Sequence, residues 1–275
     1  DITVSKNLIY QYWDGEVRES CRAGVDAMKA YAERIGAEYI FEENPNFLKN
    51  HFGYNFGNYS PHYGAFKPIW DESFDKYDKI MFVDTDVFPK EGLTTNVFDE
   101  FTGQIGICRE PQESRIRTIT AGRITHESDE RWASLMLNVF ATKVPRDDYG
   151  VVVYNTGMVL YSKEARLKAR NTFTDPKSYV EMVRNMGLDS FYTCDQPYLH
   201  GQMFAQKFDV QEMDTCWNSI LTYSRLKGLK DRVFKNYTDD NTKFVHVQFR
   251  GADNLDEETH LKIVNLPQDQ WGIEI

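Results

Sequence analysis

Nowhere does this sequence carry an unbroken run of about 18 apolar residues, so nothing in it reads as a membrane-spanning helix. No charged leader with an apolar core reads as a secretory signal. A cytoplasmic setting is the expectation, with a secretory-lumen catalytic domain as the alternative. Basic residues are in deficit: 32 Lys and Arg stand against 42 Asp and Glu, a formal net charge of −10. That balance argues against an extended nucleic-acid surface, which needs basic patches to displace counterions. It argues equally against a plain polyanion as substrate. A small anionic ligand would need a metal or a few local basic side chains. Cysteine is scarce, with Cys21, Cys108, Cys194 and Cys216 far apart and no CxxC pair. A zinc knuckle is therefore not expected, and the four read as reduced thiols in or near the core. Internal repeats, low-complexity tracts and linkers are also missing. Asn58-Tyr-Ser and Asn236-Tyr-Thr fit the glycosylation sequon, a triplet frequent by chance.

What is present is apolar substance and order. The 275 residues are 41% hydrophobic and 14% aromatic, enough for one large α/β domain or two small ones. "NLIYQYW" (Asn7 to Trp13) reads as a strand ended by Asp14-Gly15. "EVRESCRAGVDAMKAYAERIG" reads as a helix, with Val17, Cys21, Val25, Met28, Ala32 and Ile35 at spacings of three and four and Gly36 as its stop. "AEYIFEE" is a second strand, so the first 43 residues form a strand-helix-strand unit of a parallel α/β sheet. Residues 44–60 read as an Asn-, Gly- and aromatic-rich loop or lid, followed by a helix from Pro61 or Gly64 to about Phe74. "GQIGICRE" is a further strand. Residues 111–131, with Arg115, Arg117, Arg123 and Arg131, are irregular and lead into a helix through about Asn138. "VVVYNTGMVLYS" (Val151 to Ser162) is a strand broken by Asn-Thr-Gly. "KEARLKARNTF", "PKSYVEMVRNMG" and the segment opened by "TCDQPYL" read as helices. "KFVHVQFRG" (Lys243 to Gly251) is a late strand.

The segment that asks for chemistry is "KYDKIMFVDTDVFPKEG". A strand climbs through Ile80, Met81, Phe82 and Val83 and ends on Asp84 and Asp86. Ligands of parallel α/β sheets bind beyond the carboxyl ends of the strands. Residues i and i+2 of a strand face the same way, so the two carboxylates repel unless something compensates them. A divalent cation does so, and hard oxygen ligands suit Mg²⁺ or Mn²⁺. Such an ion can bridge a diphosphate and neutralise charge as it leaves. The competing reading is a pair of solvated turn aspartates.

This segment resembles the D-x-D segment of the GT-A nucleotide-sugar glycosyltransferases. It is close to the retaining families that include glycogenin and the bacterial lipooligosaccharide galactosyltransferases, and to the α-xylosyl and galactosyl transferases of plants and fungi. "VVYNTGMVLYS", "TCDQPYL", "EMDTCWNSI" and "KFVHVQFRG" resemble later motifs of these families, in the same order. "LIYQYWDG" is similar to the opening strand of capsular-polysaccharide and mannosyl transferases. The resemblance implies a GT-A fold, with a mixed, mostly parallel central sheet flanked by helices. It also implies a single domain over residues 1–275, with 1–110 the nucleotide-binding half and 111–275 the acceptor-binding half. Asp86 would be the principal metal ligand, with Asp84 binding the metal or the donor ribose and His246 the third ligand. Lys67 would reach the donor phosphate or sugar, Trp13 would stack on uracil, and Asn155, Asp195 and Gln196 would line the sugar pocket. Gln196 or Asp195 would stabilise an oxocarbenium-like centre. The cofactor would be Mn²⁺ or Mg²⁺, the donor a UDP-sugar and the acceptor a glycan hydroxyl, with retention of configuration.

The sequence departs from the pattern at its last strand. The retaining families follow the histidine with Gly and then Lys-Pro-Trp, whereas here His246-Val-Gln-Phe leads to Arg250-Gly251. Arg250 is the expected substitute, because a guanidinium grips phosphate oxygens bidentately. Two other readings compete. A phosphatase of the haloacid dehalogenase type would place its D-x-D at the first strand, and the late Asp pair, Asp239-Asp240, lacks an apolar strand before it. A glycan- or metal-binding module without catalysis would bind without releasing UDP.

Overall fold

The computed structural model describes residues 5–55, 59–110, 125–148, 150–221, 241–247 and 257–271. The chain opens as expected. β1 (Asn7–Trp13), α1 (Glu19–Ile35) and β2 (Glu38–Glu43) form a strand-helix-strand unit with β1 and β2 parallel in register. Gly36 ends α1 in the left-handed conformation (φ 72°) and donates its N–H to the carbonyls of Ala32 and Glu33, a role that favours glycine. β3 (Lys79–Val83) then pairs with β1, again in parallel.

The expected helix between β2 and β3 is instead three short pieces. A 3₁₀ turn spans Pro61–Phe66, α2 covers Lys67–Trp70, and a second 3₁₀ turn spans Glu72–Phe74. The sequence explains the break. Pro61 and Pro68 supply no N–H. The Asp71 side chain accepts from the N–H of Ser73 and starts a new turn. The preceding loop contains a π turn, Leu48–Phe52, anchored by buried Phe47 and Leu48.

β4 (Val87–Pro89) and β5 (Ile105–Arg109) follow. α3 (His126–Phe140) runs two residues past the expected end. β6 (Arg146–Asp147) and β7 (Gly150–Val151) form a small antiparallel pair, so the expected strand from Val151 begins only at Tyr154 as β8 (Tyr154–Ser162). α4 (Lys163–Thr172), α5 (Pro176–Asn185) and α6 (Asp195–Ala205) match their sequence patterns. β9 (Val210–Glu212), β10 (Ser219–Leu221), β11 (Phe244–Val247) and α7 (Glu257–Val264) complete the described elements.

The main sheet has the order β2-β1-β3-β8-β5-β9. β8 alone runs antiparallel to its neighbours β3 and β5, and the other pairings are parallel. As a central strand β8 is buried along nearly its whole length. Its side chains alternate between two cores: Val159 and Tyr161 pack with Tyr63, Tyr179 and Tyr198, while Met158 and Leu160 pack with Met28, Met81 and Trp217. A second sheet, β10-β11-β4, pairs β11 in parallel with β10 and antiparallel with β4.

One irregularity positions the site. Ile107 of β5 faces Val159, but the next residue, Cys108, faces Asn155. Residues 156–158 are thus extra on β8 and bulge away from β5 where β3 ends. Bulges of this kind re-aim side chains beside functional sites.

Candidate functional site

Three chain segments meet at the carboxyl end of β3. The first is the turn carrying Asp84 and Asp86. Its backbone is pinned on all sides: the Asp84 N–H donates to the Gly157 carbonyl (2.8 Å), and the Asp84 carbonyl accepts from Gln11 Nε2 (3.0 Å) and the Val87 N–H (3.2 Å). Thr85 is covered by α1, where Gly24 allows an approach that no side chain permits: a Cβ there would stand 1.7 Å from the Thr85 carbonyl oxygen.

The second segment is β11. Its pairing with β4 sets His246 opposite Val87, and the Val247 N–H donates to the Asp86 carbonyl (2.9 Å). His246 Nε2 comes to 3.0 Å from Asp86 Oδ1 and 3.8 Å from Asp84 Oδ2. One ligand atom from each of the three residues lies within 4.8 Å of the others. The side chains are 3% exposed for His246, 15% for Asp86 and 41% for Asp84, so the cluster opens to solvent on the Asp84 side.

This donor set fits a hard divalent cation: two carboxylates and an imidazole nitrogen. A second observation agrees. Asp86 Oδ1 is buried and, among the described residues, has no hydrogen-bond donor besides the His246 ring, whose Nε2 stands 3.0 Å away. A buried carboxylate oxygen without a donor is costly unless a cation or proton faces it. Without metal the pair shares charge. Burial pulls His246 down, but the Asp86 and Asp84 carboxylates outweigh that and raise it to about 8. Burial pushes Asp86 up, and the neighbouring His246 charge more than reverses it, leaving the carboxyl below its ordinary value.

The third segment is the β8 bulge and what it holds. His246 Nδ1 is 2.9 Å from Asn218 Oδ1. Asn218 Nδ2 donates to Asn155 Oδ1 (2.8 Å), which also accepts from the Gly157 N–H (2.7 Å). Asn155 Nδ2 donates to the Glu110 carboxylate. Thr156 faces the other way. Its hydroxyl donates to Asp195 Oδ2 (2.9 Å), and its N–H makes a long contact with Gln196 Oε1 (3.4 Å). So the first turn of α6 is tied to the same bulge as Asp84. Cys194, not Asp195, occupies the N-cap position of α6. Burial raises Asp195, against the lowering influence of His62 and the Thr156 hydroxyl.

The other expected residues lie as follows. Trp13 ends β1, partly buried, with its indole N–H donating to the Glu16 carbonyl (2.9 Å). Lys67 Nζ is 2.7 Å from Glu42 Oε2 and 4.0 Å from Asp71 Oδ2, so it stands at the carboxyl end of β2 with two carboxylates. Asn155 is buried, with both amide atoms engaged behind His246. Arg250, the Asp239-Asp240 pair, Asn58 of the first sequon, the whole of the second sequon, Arg115, Arg117 and Arg123 lie outside the described residues.

Sequence reading missed Tyr12, Glu110, Thr156 and Asn218. Tyr12 sits where the Asp195 and Asp84 charges both reach it, and burial with those charges raises its hydroxyl well above the usual range. Strand alternation carried the signal: Tyr10 and Tyr12 share one face of β1, and Trp13 takes the other. Asn218 stood inside a recognised motif but had no assigned partner.

This fold is that of the GT-A glycosyltransferases. Mouse xyloside xylosyltransferase 1 in its apo form superposes with a TM-score of 0.55 at 16% identity, over 89% of this chain and 98% of that one. A glycosyltransferase involved in glycosylation of the major capsid of PBCV-1 superposes with a TM-score of 0.52 at 12% identity, over 95% and 100%. No protein-family model matches the sequence, and no curated protein does. Among the described residues no helix is long and apolar enough to cross a membrane.

Proposed function

We propose that the protein is a metal-dependent glycosyltransferase that moves a sugar from a UDP-sugar to a glycan hydroxyl with retention of configuration. The observation that carries this reading is the convergence of Asp84, Asp86 and His246 at the carboxyl end of β3, on a GT-A fold, with Asp195 and Gln196 tethered to the same bulge. The first 110 residues supply most of the donor side, and residues 111–275 supply the acceptor side and the closing histidine.

Asp84, Asp86 and His246 would hold Mn²⁺ or Mg²⁺, which when bound neutralises the charge that develops on the departing diphosphate. The chain's own residues do the rest. Trp13 offers an apolar face to the base, and Asp84, the most exposed of the three, is the one placed to meet the ribose. Lys67 answers donor phosphate or sugar hydroxyls, with Glu42 as its counter-ion in the protein. Arg250 is the proposed phosphate clamp. Asn155 shapes the pocket wall from behind through its hold on Gly157 and Asn218. In the reaction the bond from C1 to the diphosphate oxygen breaks, and its electron pair stays on that oxygen. The acceptor oxygen forms the new bond to C1, and its proton ends on the released diphosphate or in solvent. Asp195 and Gln196 present carboxylate and amide oxygens to the sugar carbon as it becomes electron-poor, an electrostatic role that is worth most in an enclosed site.

The test is a panel of nucleotide sugars with Mn²⁺ or Mg²⁺, read by nucleotide release. One UDP-sugar is expected to be hydrolysed slowly, and only with metal. Asp86→Ala should abolish that release while leaving the circular dichroism spectrum unchanged, because Asp86 faces the ligand rather than the core. Full release by the variant, or by wild type in chelator, refutes the site. Binding of UDP and metal without release from any donor turns the reading to a non-catalytic module.

A further inference from the structure

The hydrogen-bond chain behind His246 has a direction, and its fixed end shows which way it runs. The Gly157 main-chain N–H can only donate, and it reaches Asn155 Oδ1 at 2.7 Å. That settles the Asn155 amide: its oxygen faces Gly157, so its nitrogen faces Glu110 and donates to a carboxyl oxygen there. The same Asn155 oxygen is 2.8 Å from Asn218, which must therefore offer its NH₂ there. Asn218 then has its oxygen left for His246 Nδ1, 2.9 Å away. An amide oxygen has only lone pairs to present, so Nδ1 must carry a proton. Each link excludes its own reversal. All four side chains are buried, between 2% and 5% exposed, so bulk water does not offer substitute partners.

The consequence falls on the other ring nitrogen. With the single proton of the neutral ring on Nδ1, Nε2 holds a lone pair, and it points at Asp86 Oδ1 and Asp84 Oδ2. A bare nitrogen facing two carboxylate oxygens is repulsive unless a proton or a cation lies among them, and a bound cation takes the proton's place.

We propose that Glu110, Asn155 and Asn218 are positioning residues that lock His246 in its Nδ1–H tautomer and thereby commit Nε2 to a divalent cation shared with Asp84 and Asp86. This rests on the metal-site reading above. It gives work to two motifs whose partners were not evident, the Asn-Thr-Gly at 155–157 and the Trp-Asn at 217–218. The outer partners of a metal-bound imidazole fix its orientation and raise its basicity, and losing one typically costs ~10- to 100-fold in metal affinity. Here the outer partner is itself held by a buried carboxylate two links away.

The experiment uses the full chain with ¹⁵N-labelled histidine, metal-free, at a pH where the His246 ring is neutral. Long-range ¹H–¹⁵N correlation reads the tautomer. Mn²⁺ alone is then titrated and followed by electron paramagnetic resonance. Wild type is expected to show Nδ1–H. Asn218→Leu is expected to mix the tautomers and weaken Mn²⁺ binding by ~10- to 100-fold. Asn218→Asp keeps an oxygen opposite Nδ1 and should keep the Nδ1–H tautomer. An Nε2–H tautomer in wild type overturns the proposal, and so does Mn²⁺ binding by Asn218→Leu as tight as wild type. If Asn218→Leu does not fold, the wild-type tautomer and Asn218→Asp decide: a shift to Nε2–H in either refutes the lock. Wild type that shows Nδ1–H yet binds no Mn²⁺ refutes the metal-site reading, and with it the commitment of Nε2.

Discussion

At Gly157 a methyl group would stand 2.4 Å from Cε1 and 2.8 Å from Nδ1 of His246, and 2.6 Å from Asn155 Oδ1. The ring and the amide can yield only by leaving their hydrogen bonds. Gly157→Ala is therefore expected to fold but to bind Mn²⁺ at least about tenfold more weakly, the size of a lost outer partner. Calorimetric titration checks it, and unchanged affinity would show that the ring has other room. The His246–Asp86 pair also sets a pH signature. The His246 pKa is raised from 6.5 to about 8, so its contribution to stability is full below about pH 6.5 and is lost as the pH rises through about 8. The Asp86 pKa is lowered from 3.8, so its contribution is present above that value and is lost as the pH falls through the lowered one. The metal-free protein thus gains most from the pair between about pH 4 and 6.5. Since a cation must displace the ring proton, Mn²⁺ affinity should climb with pH and level off above about 8. Melting temperatures across pH, with and without Mn²⁺, test both. An Mn²⁺ increment independent of pH would exclude His246 as ligand. Asp84, Asp86 and His246 could be read from sequence because the aspartates directly follow a short apolar strand and the histidine sits within one. Glu110 and Asn218 could not, because what defines them is a partner 45 or 63 residues away from Asn155.

Among the elements, α1 and β8 do most to hold the D-x-D turn. α1 lies across it through Gly24, whose Cβ would collide with backbone, not with a movable side chain. Gly24→Ala is expected to destabilise the fold by about 1–3 kcal/mol, the usual cost of forcing extra volume into a packed site. Urea unfolding measures this, and a neutral result would mean that α1 can lift off the turn freely. The α1 pattern was legible because a single buried stripe follows the helical period. The segment from Pro61 to Phe74 was not, because its apolar residues also fit a helix while its prolines divide it. β4 escaped notice for another reason. "VFP" is three residues long and becomes a strand only through β11, which arrives more than 150 residues later. The strand at Val151 to Ser162 was read three residues too long, because Gly150–Val151 pairs locally with Arg146–Asp147.

On the scale of the whole molecule, the order of motifs foretold the architecture better than composition did. An acidic balance and a large aromatic fraction fit many folds. The strand-helix-strand opening, with the ordered motifs after it, led to the mixed sheet with one reversed strand. The thiols provide a global check. Cys21 and Cys108 are buried, and Cys194 and Cys216 are half-buried. Burial and the Asp214 carboxylate push the Cys216 thiol up to about 12. In the native protein near pH 8, Cys194 is therefore expected to react first with a thiol reagent and Cys216 slowly, with Cys21 and Cys108 reacting only on unfolding. Mass spectrometry of labelled peptides reads the order, and prompt modification of Cys21 or Cys108 would contradict this packing.

β11 reaches the D-x-D turn from the far end of the chain and is fastened there. Val245 and Val247 pack with Phe88, Ile263 and Trp271, and Glu257 holds Ser20 of α1. During synthesis, the two aspartates would leave the ribosome long before their histidine. A nascent polypeptide would have a half-built acidic turn until residue 246 emerged. A product released early, short of that strand, would lack the third member of the cluster however well its first half had folded.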